Sequence, residues 1–301
     1  MPELIVSILP SVATLTAAGF LFGILLSYAK LKLKVEKDPL IEKIIEELPG
    51  ANCGACGLPG CSAYATRIVE EKYDINLCPV GGQDLITRVA SILGVEAVES
   101  GVPLKARVAC QGGIGVTSLK FIYEGPKTCT AANGLMGGFK VCEFGCLGLG
   151  DCEISCPFDA IHIQENGLPQ VDDAKCTGCG NCVTACPRNI ISLVKETFDV
   201  HVLCRNMEKA PVMKLGCSVG CIACRLCVKA CTEIHKDNPH IDTAITVEDF
   251  IATIDYDKCI NCLECARVCP VSVISPIEVS KKNKKAGKTG NTAETGNEIN
   301  I

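Results

Sequence analysis

Twenty-four of the 301 residues are cysteine, and most stand two to five positions from the next. Thiols spaced this closely are too tight to bridge separate elements, and they read as metal ligands. Two runs have the form C-x2-C-x2-C-x3-C-P, at Cys176, Cys179, Cys182, Cys186 and at Cys259, Cys262, Cys265, Cys269. A third, Cys221, Cys224, Cys227 and Cys231, keeps the spacing with Thr232 in place of the proline. Three thiolates of one tight loop can hold three irons of a [4Fe–4S] cube, while the fourth reaches a neighbouring cube. Zinc sites more often join two C-x2-C pairs across a dozen or more residues. Here four cysteines crowd into eleven positions, so iron–sulfur chemistry is the expectation.

A fourth run departs from the pattern. Cys146, Cys152 and Cys156-Pro157 lack a second cysteine, because Leu149 stands where the other copy has Cys224. Cys142 is taken as the substitute. With the fourth ligands crossed as in two-cluster ferredoxins, Cys142, Cys146 and Cys152 group with Cys186, and Cys176, Cys179 and Cys182 with Cys156. Likewise Cys221, Cys224 and Cys227 group with Cys269, and Cys259, Cys262 and Cys265 with Cys231. An internal repeat supports two such modules: Cys129, Cys142, Cys146, Cys152 and Cys156 recur 75 positions later as Cys204, Cys217, Cys221, Cys227 and Cys231. Cys110 (VAC) also resembles Cys204 (VLC) in local context, so it competes with Cys129 for that counterpart. Ahead of the modules, LPGANCGACGLPGC…LCP supplies Cys53, Cys56, Cys61 and Cys78, with glycines that let the backbone close round a cube. Five cubes are thus expected. Cys110, Cys129, Cys204 and Cys217 remain as candidate ligands of a sixth.

The elements that must carry these loops follow from composition and pattern. No charge occurs from Leu4 to Ala29, a stretch long enough as a helix to cross the ~30 Å hydrocarbon core. Lys30, Lys32, Lys34 and Lys37 follow it, so the positive-inside rule leaves the rest of the chain cytoplasmic. A signal peptide would carry its positive charge before the apolar run. Asp38-Pro39 opens a short amphipathic helix, Gln83 to Leu93 reads as another ending near Gly94, and ARVAC and TSLKFIY read as strands. His162, His201, His235 and His240 share no spacing with one another or with the cysteines and are read as packing or surface residues. A net charge of −5 argues against nucleic acid as a partner. There is no P-loop and no G-x-G-x-x-G opening a helix, so no nucleotide site is expected. The expected fold is α+β: a transmembrane anchor and basic neck (1–36), a small [4Fe–4S] domain (37–100), two ferredoxin-like modules (101–192, with a strand-rich lead-in, and 193–277) and a disordered tail (278–301).

The order of anchor, LPGANCGACGLPGC…LCP quartet, CEFGCLGLGDCEISCPFDAI and further ferredoxin runs resembles the B component of the Rnf complex in its long, many-cluster form. The resemblance covers roughly residues 1 to 275. It implies one component of a membrane-bound ferredoxin:NAD⁺ oxidoreductase that couples electron transfer to Na⁺ or H⁺ translocation. Its partners would be ferredoxin as donor and the other members of the complex (A, C, D, E and G), of which C carries the FMN and NAD site. The chain would sit in the cytoplasmic membrane by one span, with its clusters inside and no complete active site of its own. A homologous complex that reduces SoxR is the alternative. Docking of an acidic ferredoxin would need a local basic patch, expected near Lys175, Arg188, Lys195 or Lys229.

Overall fold

A computed structural model describes residues 2–32, 38–236 and 243–276; the tail, His240 and most of the basic neck lie outside them. Helix α1 (Pro2–Lys32) runs through Pro10. Its segment Val12–Ala29 is apolar and long enough to cross a membrane, and none of it is buried. Helices α2 (Pro39–Glu47), α3 (Cys61–Glu71) and α4 (Gly82–Leu93) then pack on one another. Asp38 caps α2 by accepting from the Leu40 N–H, and Gly94 closes α4 at φ 68°. Ile41, Ile44, Tyr64, Ile68, Leu85 and Val89 form their core. The buried Tyr64 donates its hydroxyl to the Asp74 carbonyl (2.8 Å) and accepts from the Leu77 N–H (3.2 Å), which fixes the turn presenting Cys78.

The remainder is one plan used twice. In the first copy β1 (Leu104–Val108) pairs antiparallel with β4 (Ile191–Lys195), so the ends of the module close on each other. Between them lies the hairpin of β2 (Ile161–Ile163) and β3 (Pro169–Val171). Short helices α5 (Cys129–Gly134), α6 (Asp151–Ile154) and α7 (Asn181–Ala185) fill the intervals. The second copy pairs β5 (Val200–Val202) with β8 (Ile274–Pro276) and β6 (Ile245–Glu248) with β7 (Ile251–Ile254). Its helices are α8 (Ala210–Gly216), α9 (Leu226–His235) and α10 (Glu264–Arg267). Each copy has its own core, around Ala106, Ile161 and Ile191 in the first and Val200, Ile245 and Ile274 in the second. Cysteine side chains form much of both cores.

One expected strand is replaced by looser pairing. ARVAC becomes β1, but TSLKFIY makes only isolated bridges, Thr117 to Cys217 and Leu119 to Lys140. Its backbone is bonded instead to the C-terminal end of α8 and to the segment before Cys142: Ser118 N–H to Gly216 O (3.0 Å) and Val141 N–H to Ser118 O (2.8 Å). This segment therefore ties the two copies together rather than extending a sheet. A second tie is the buried His201, whose Nε2 accepts from Arg107 Nε (3.2 Å) and whose Nδ1 meets Tyr256 Oη at 2.7 Å.

Candidate metal centres

Six groups of four cysteines emerge, and together they use all 24. In the N-terminal domain the loop from Gly50 to Gly60 carries Cys53 and Cys56, and Cys61 opens α3. Asn52 holds the loop closed, accepting from the Cys61 N–H at 2.8 Å and donating to Gly50 O at 3.0 Å. Gly60 must be glycine here: at φ 126° a Cβ would stand 2.9 Å from Asn52 Oδ1. Cys78 joins from the turn held by Tyr64. Burial above all pushes its thiol upward, the neighbouring Cys53 and Cys61 add to this, and the backbone N–H groups of Gly81 and Val80 oppose it.

Each regular loop gathers three thiols, and a fourth approaches from another part of the chain. Cys156, Cys176, Cys179 and Cys182 line one cavity, and Cys231, Cys259, Cys262 and Cys265 line another. Cys221, Cys224, Cys227 and Cys269 line a third. The glycine of the C-T-G-C loop has a packing reason, since a Cβ on Gly178 (φ 70°) would come within 2.4 Å of Leu104 O. At the corresponding site Asn261 adopts φ 58° and donates its amide to Thr197 O and Asp199.

The fourth cavity corrects the expected role of Cys142. Cys129, Cys146, Cys152 and Cys186 line it, and Cys142 does not. Cys129, which opens α5, stands in the place that the spacing gave to Cys142. Asp151 draws that turn against α6, accepting from the N–H groups of Cys129 (2.7 Å) and Thr130 (2.9 Å) and from Thr130 Oγ1 (2.8 Å). Burial, then the thiols of Cys146, Cys129 and Cys186, push Cys152 up to about 12.

Cys142 lines a different cavity, together with Cys110, Cys204 and Cys217. This bridging quartet takes two thiols from each module and is built with local symmetry. Cys110 Sγ accepts from Gly112 N–H (3.4 Å) and Cys146 N–H (3.3 Å); Cys204 Sγ accepts from Asn206 N–H (3.4 Å) and Cys221 N–H (3.4 Å). Cys110, not Cys129, is therefore the structural twin of Cys204. The buried Asn206 adds an Nδ2–H donated to Cys142 Sγ at 3.4 Å.

These surroundings suit cubes better than single ions. Among the described residues no three His, Cys, Asp or Glu side chains converge on a single-ion site. The thiols instead line shared cavities, four soft donors to each, with backbone N–H groups aimed at several sulfurs. Burial above all pushes Cys146 and Cys265 up to about 12 and Cys204 and Cys227 up to about 11, so metal loading must release protons.

The expected basic patch does not form from the four residues named. Lys175 pairs with Asp159 (2.7 Å) and Lys195 with Asp257 (2.9 Å), while Arg188 turns inward against the Cys129 cavity. Lys175, Lys195 and Lys229 are exposed, but the first two have their charge balanced by these carboxylates, and Lys229 stands apart on α9.

Known proteins share the cluster-bearing segments. Residues 48–80 match a family of Fe–S cluster domains, and residues 141–190 and 220–273 match the 4Fe-4S dicluster domain. The chain is 46% identical over 253 residues to the B component of the Na(+)-translocating ferredoxin:NAD(+) oxidoreductase complex of Acetobacterium woodii, covering 84% of this chain and 73% of that one. It is 40% identical to the B component of the ion-translocating oxidoreductase complex of Methanosarcina acetivorans, covering 83% and 90% of the two chains. It is 37% identical to the B component of the proton-translocating ferredoxin:NAD(+) oxidoreductase complex of Clostridium ljungdahlii, covering 81% and 83%.

Proposed function

The chain belongs to the family of B components of ion-translocating oxidoreductase complexes, and on that premise we propose that it is the one-electron relay of such a complex, passing electrons from reduced ferredoxin towards NAD⁺ through flavin-bearing partners. The observation that carries this reading is the continuity of the quartets. Cys53 lies close enough to Cys179 to raise its proton affinity, which joins the N-terminal quartet to the Cys176 quartet. Cys152 feels both Cys186 and Cys182, joining the next two. Cys146 and Cys221 each donate an N–H to a sulfur of the bridging quartet, so that site connects the modules. Cys265 feels Cys227, which completes the line to the Cys259 quartet.

Each quartet would hold a [4Fe–4S] cube, six in all, and such cubes accept and release single electrons at potentials set by their surroundings. The protein's part is to space the sites, exclude water with the two module cores, and aim N–H groups at the sulfurs. Residues 37–100, 101–192 and 193–277 serve as the three cluster-bearing units. Helix α1 anchors the N-terminal end in the cytoplasmic membrane, with the rest of the chain in the cytoplasm. Electrons then enter at the far end, where Cys262 is exposed, and leave near the anchor. Nicotinamide reduction needs two electrons together, which belongs to a flavin on another member of the complex. Stopped-flow mixing of the full chain in detergent with reduced ferredoxin tests the proposal. Rapid bleaching without NADH formation is expected until the other members are added. NADH formation by this chain alone, or no reduction by ferredoxin, would contradict it.

A further inference from the structure

The two modules share one plan, yet the charge beside their inner quartets differs. In the first, Lys140 is buried at 4% exposure and donates its ammonium to Gly112 O at 3.0 Å. Gly112 lines the bridging cavity, while the same ammonium acts on the Cys146 thiol in the Cys129 cavity. Arg188 lines the Cys129 cavity too, and its guanidinium donates to Asn133 Oδ1 (3.1 Å) and to the carbonyls of Cys142 (2.8 Å), Gly145 (3.1 Å) and Gly137. It interacts electrostatically with Cys142, Cys146 and Cys110. Two interior cations thus stand between the bridging quartet and the Cys129 quartet.

The other side lacks them. By the repeat, Lys140 corresponds to Leu215, which is exposed, and Arg188 corresponds to Val271, which lines the Cys221 cavity where Arg188 lines its own. The remaining charges do not restore the balance. Arg205 lines the bridging cavity and Arg225 the Cys221 cavity, but both are exposed to solvent, which screens them; Glu208, near the bridging quartet, accepts from Asn206 Nδ2 at 3.5 Å. Asp151 lines the Cys129 cavity with its carboxylate committed to the α5 N–H groups, and Glu143 is exposed and paired with Lys120 at 2.6 Å.

Resting on the relay reading above, we propose that Lys140 and Arg188 set the direction of electron flow across the module boundary by raising the reduction potentials of the bridging and Cys129 centres above that of the Cys221 centre. A cube gains negative charge when reduced, so buried positive charge beside it favours the reduced form. One electron leaves the Cys221 centre, oxidising it, and reduces the bridging centre; no bond or proton need move. The drop runs towards the module nearer the anchor, which matches the proposed input at the Cys259 end.

EPR-monitored redox titration of the full chain, purified without oxygen, tests this alongside iron content. Lys140→Met should lower the higher-potential signals so that the reduced-to-oxidised ratio at fixed poise falls about tenfold, about 59 mV for one electron. Lys140→Arg should keep the wild-type midpoints. Val271→Arg, which places a cation at the twin position, should raise the lower-potential signals by a similar factor and narrow the spread. Unmoved midpoints in both Lys140→Met and Val271→Arg at full iron content would overturn the inference and leave the relay reading intact. If Lys140→Met loses iron, Val271→Arg decides alone, an unmoved midpoint counting against the inference. Wild-type protein with iron for fewer than six cubes would overturn the relay reading itself.

Discussion

Cys129 and Cys142 are 13 positions apart and each is a candidate for one missing thiol, yet they line separate cavities. That separation gives a sharp prediction. Cys129→Ala and Cys142→Ala should each lose about four irons, and the double variant about eight, because two cubes are broken. Cys142→Ala/Cys217→Ala should lose only about four, since both thiols belong to the bridging quartet. Iron analysis of the four proteins checks this, and a loss of four irons in Cys129→Ala/Cys142→Ala would place both thiols on one centre. The sequence holds a signal for the right grouping. Cys142 repeats as Cys217, and the Cys221 quartet is complete without Cys217, so Cys142 is equally spare in its own module. The contribution of Cys129 is harder to read, because it depends on Asp151 pulling α5 against α6 across 22 positions. The cysteines of the regular loops fall together as their spacing groups them, since a tight loop leaves the chain little choice of partner.

At the scale of elements, local signals are reliable where local physics decides. Asp38-Pro39 starts α2 and Gly94 ends α4 because capping is settled within a few residues. TSLKFIY has strand-like composition, but its partners, the end of α8 at Gly216 and the bend at Val141, are not strands and no periodicity announces them. His201 is another element-scale feature invisible to spacing, since β5 buries it between Arg107 of β1 and Tyr256. Burial, with the Arg107 charge second, lowers its pKa to about 4 from 6.5. The unfolded chain therefore binds a proton between those values that the fold refuses. Stability is complete above about pH 6.5 and declines as pH falls towards about 4, by on the order of 3 kcal/mol in total. Anaerobic thermal unfolding of the holoprotein should show a falling midpoint from pH 7 to 5.5. His201→Gln should lessen that fall; an equal fall in the variant would assign the acid lability to other groups.

At the scale of the molecule, duplication explains the architecture. Two modules that each hold two crossed quartets would leave a gap between them, and Cys110, Cys142, Cys204 and Cys217 fill it with a site made half by each. The N-terminal domain extends the line at the Cys176 quartet. This whole is not legible from motif matching alone, because the bridging thiols lie in no regular run and meet only when β1 closes on β4 and β5 on β8. The number of centres is the quantity on which an unbroken relay depends. Iron and acid-labile sulfide should be quantified in the full chain purified without oxygen, with Mössbauer spectra to identify the iron. The expectation is about 24 irons and about 24 sulfides per chain, all in [4Fe–4S] cubes, four for each of six quartets. About 20 irons with four alkylatable thiols at Cys110, Cys142, Cys204 and Cys217, or zinc in place of iron, would contradict it.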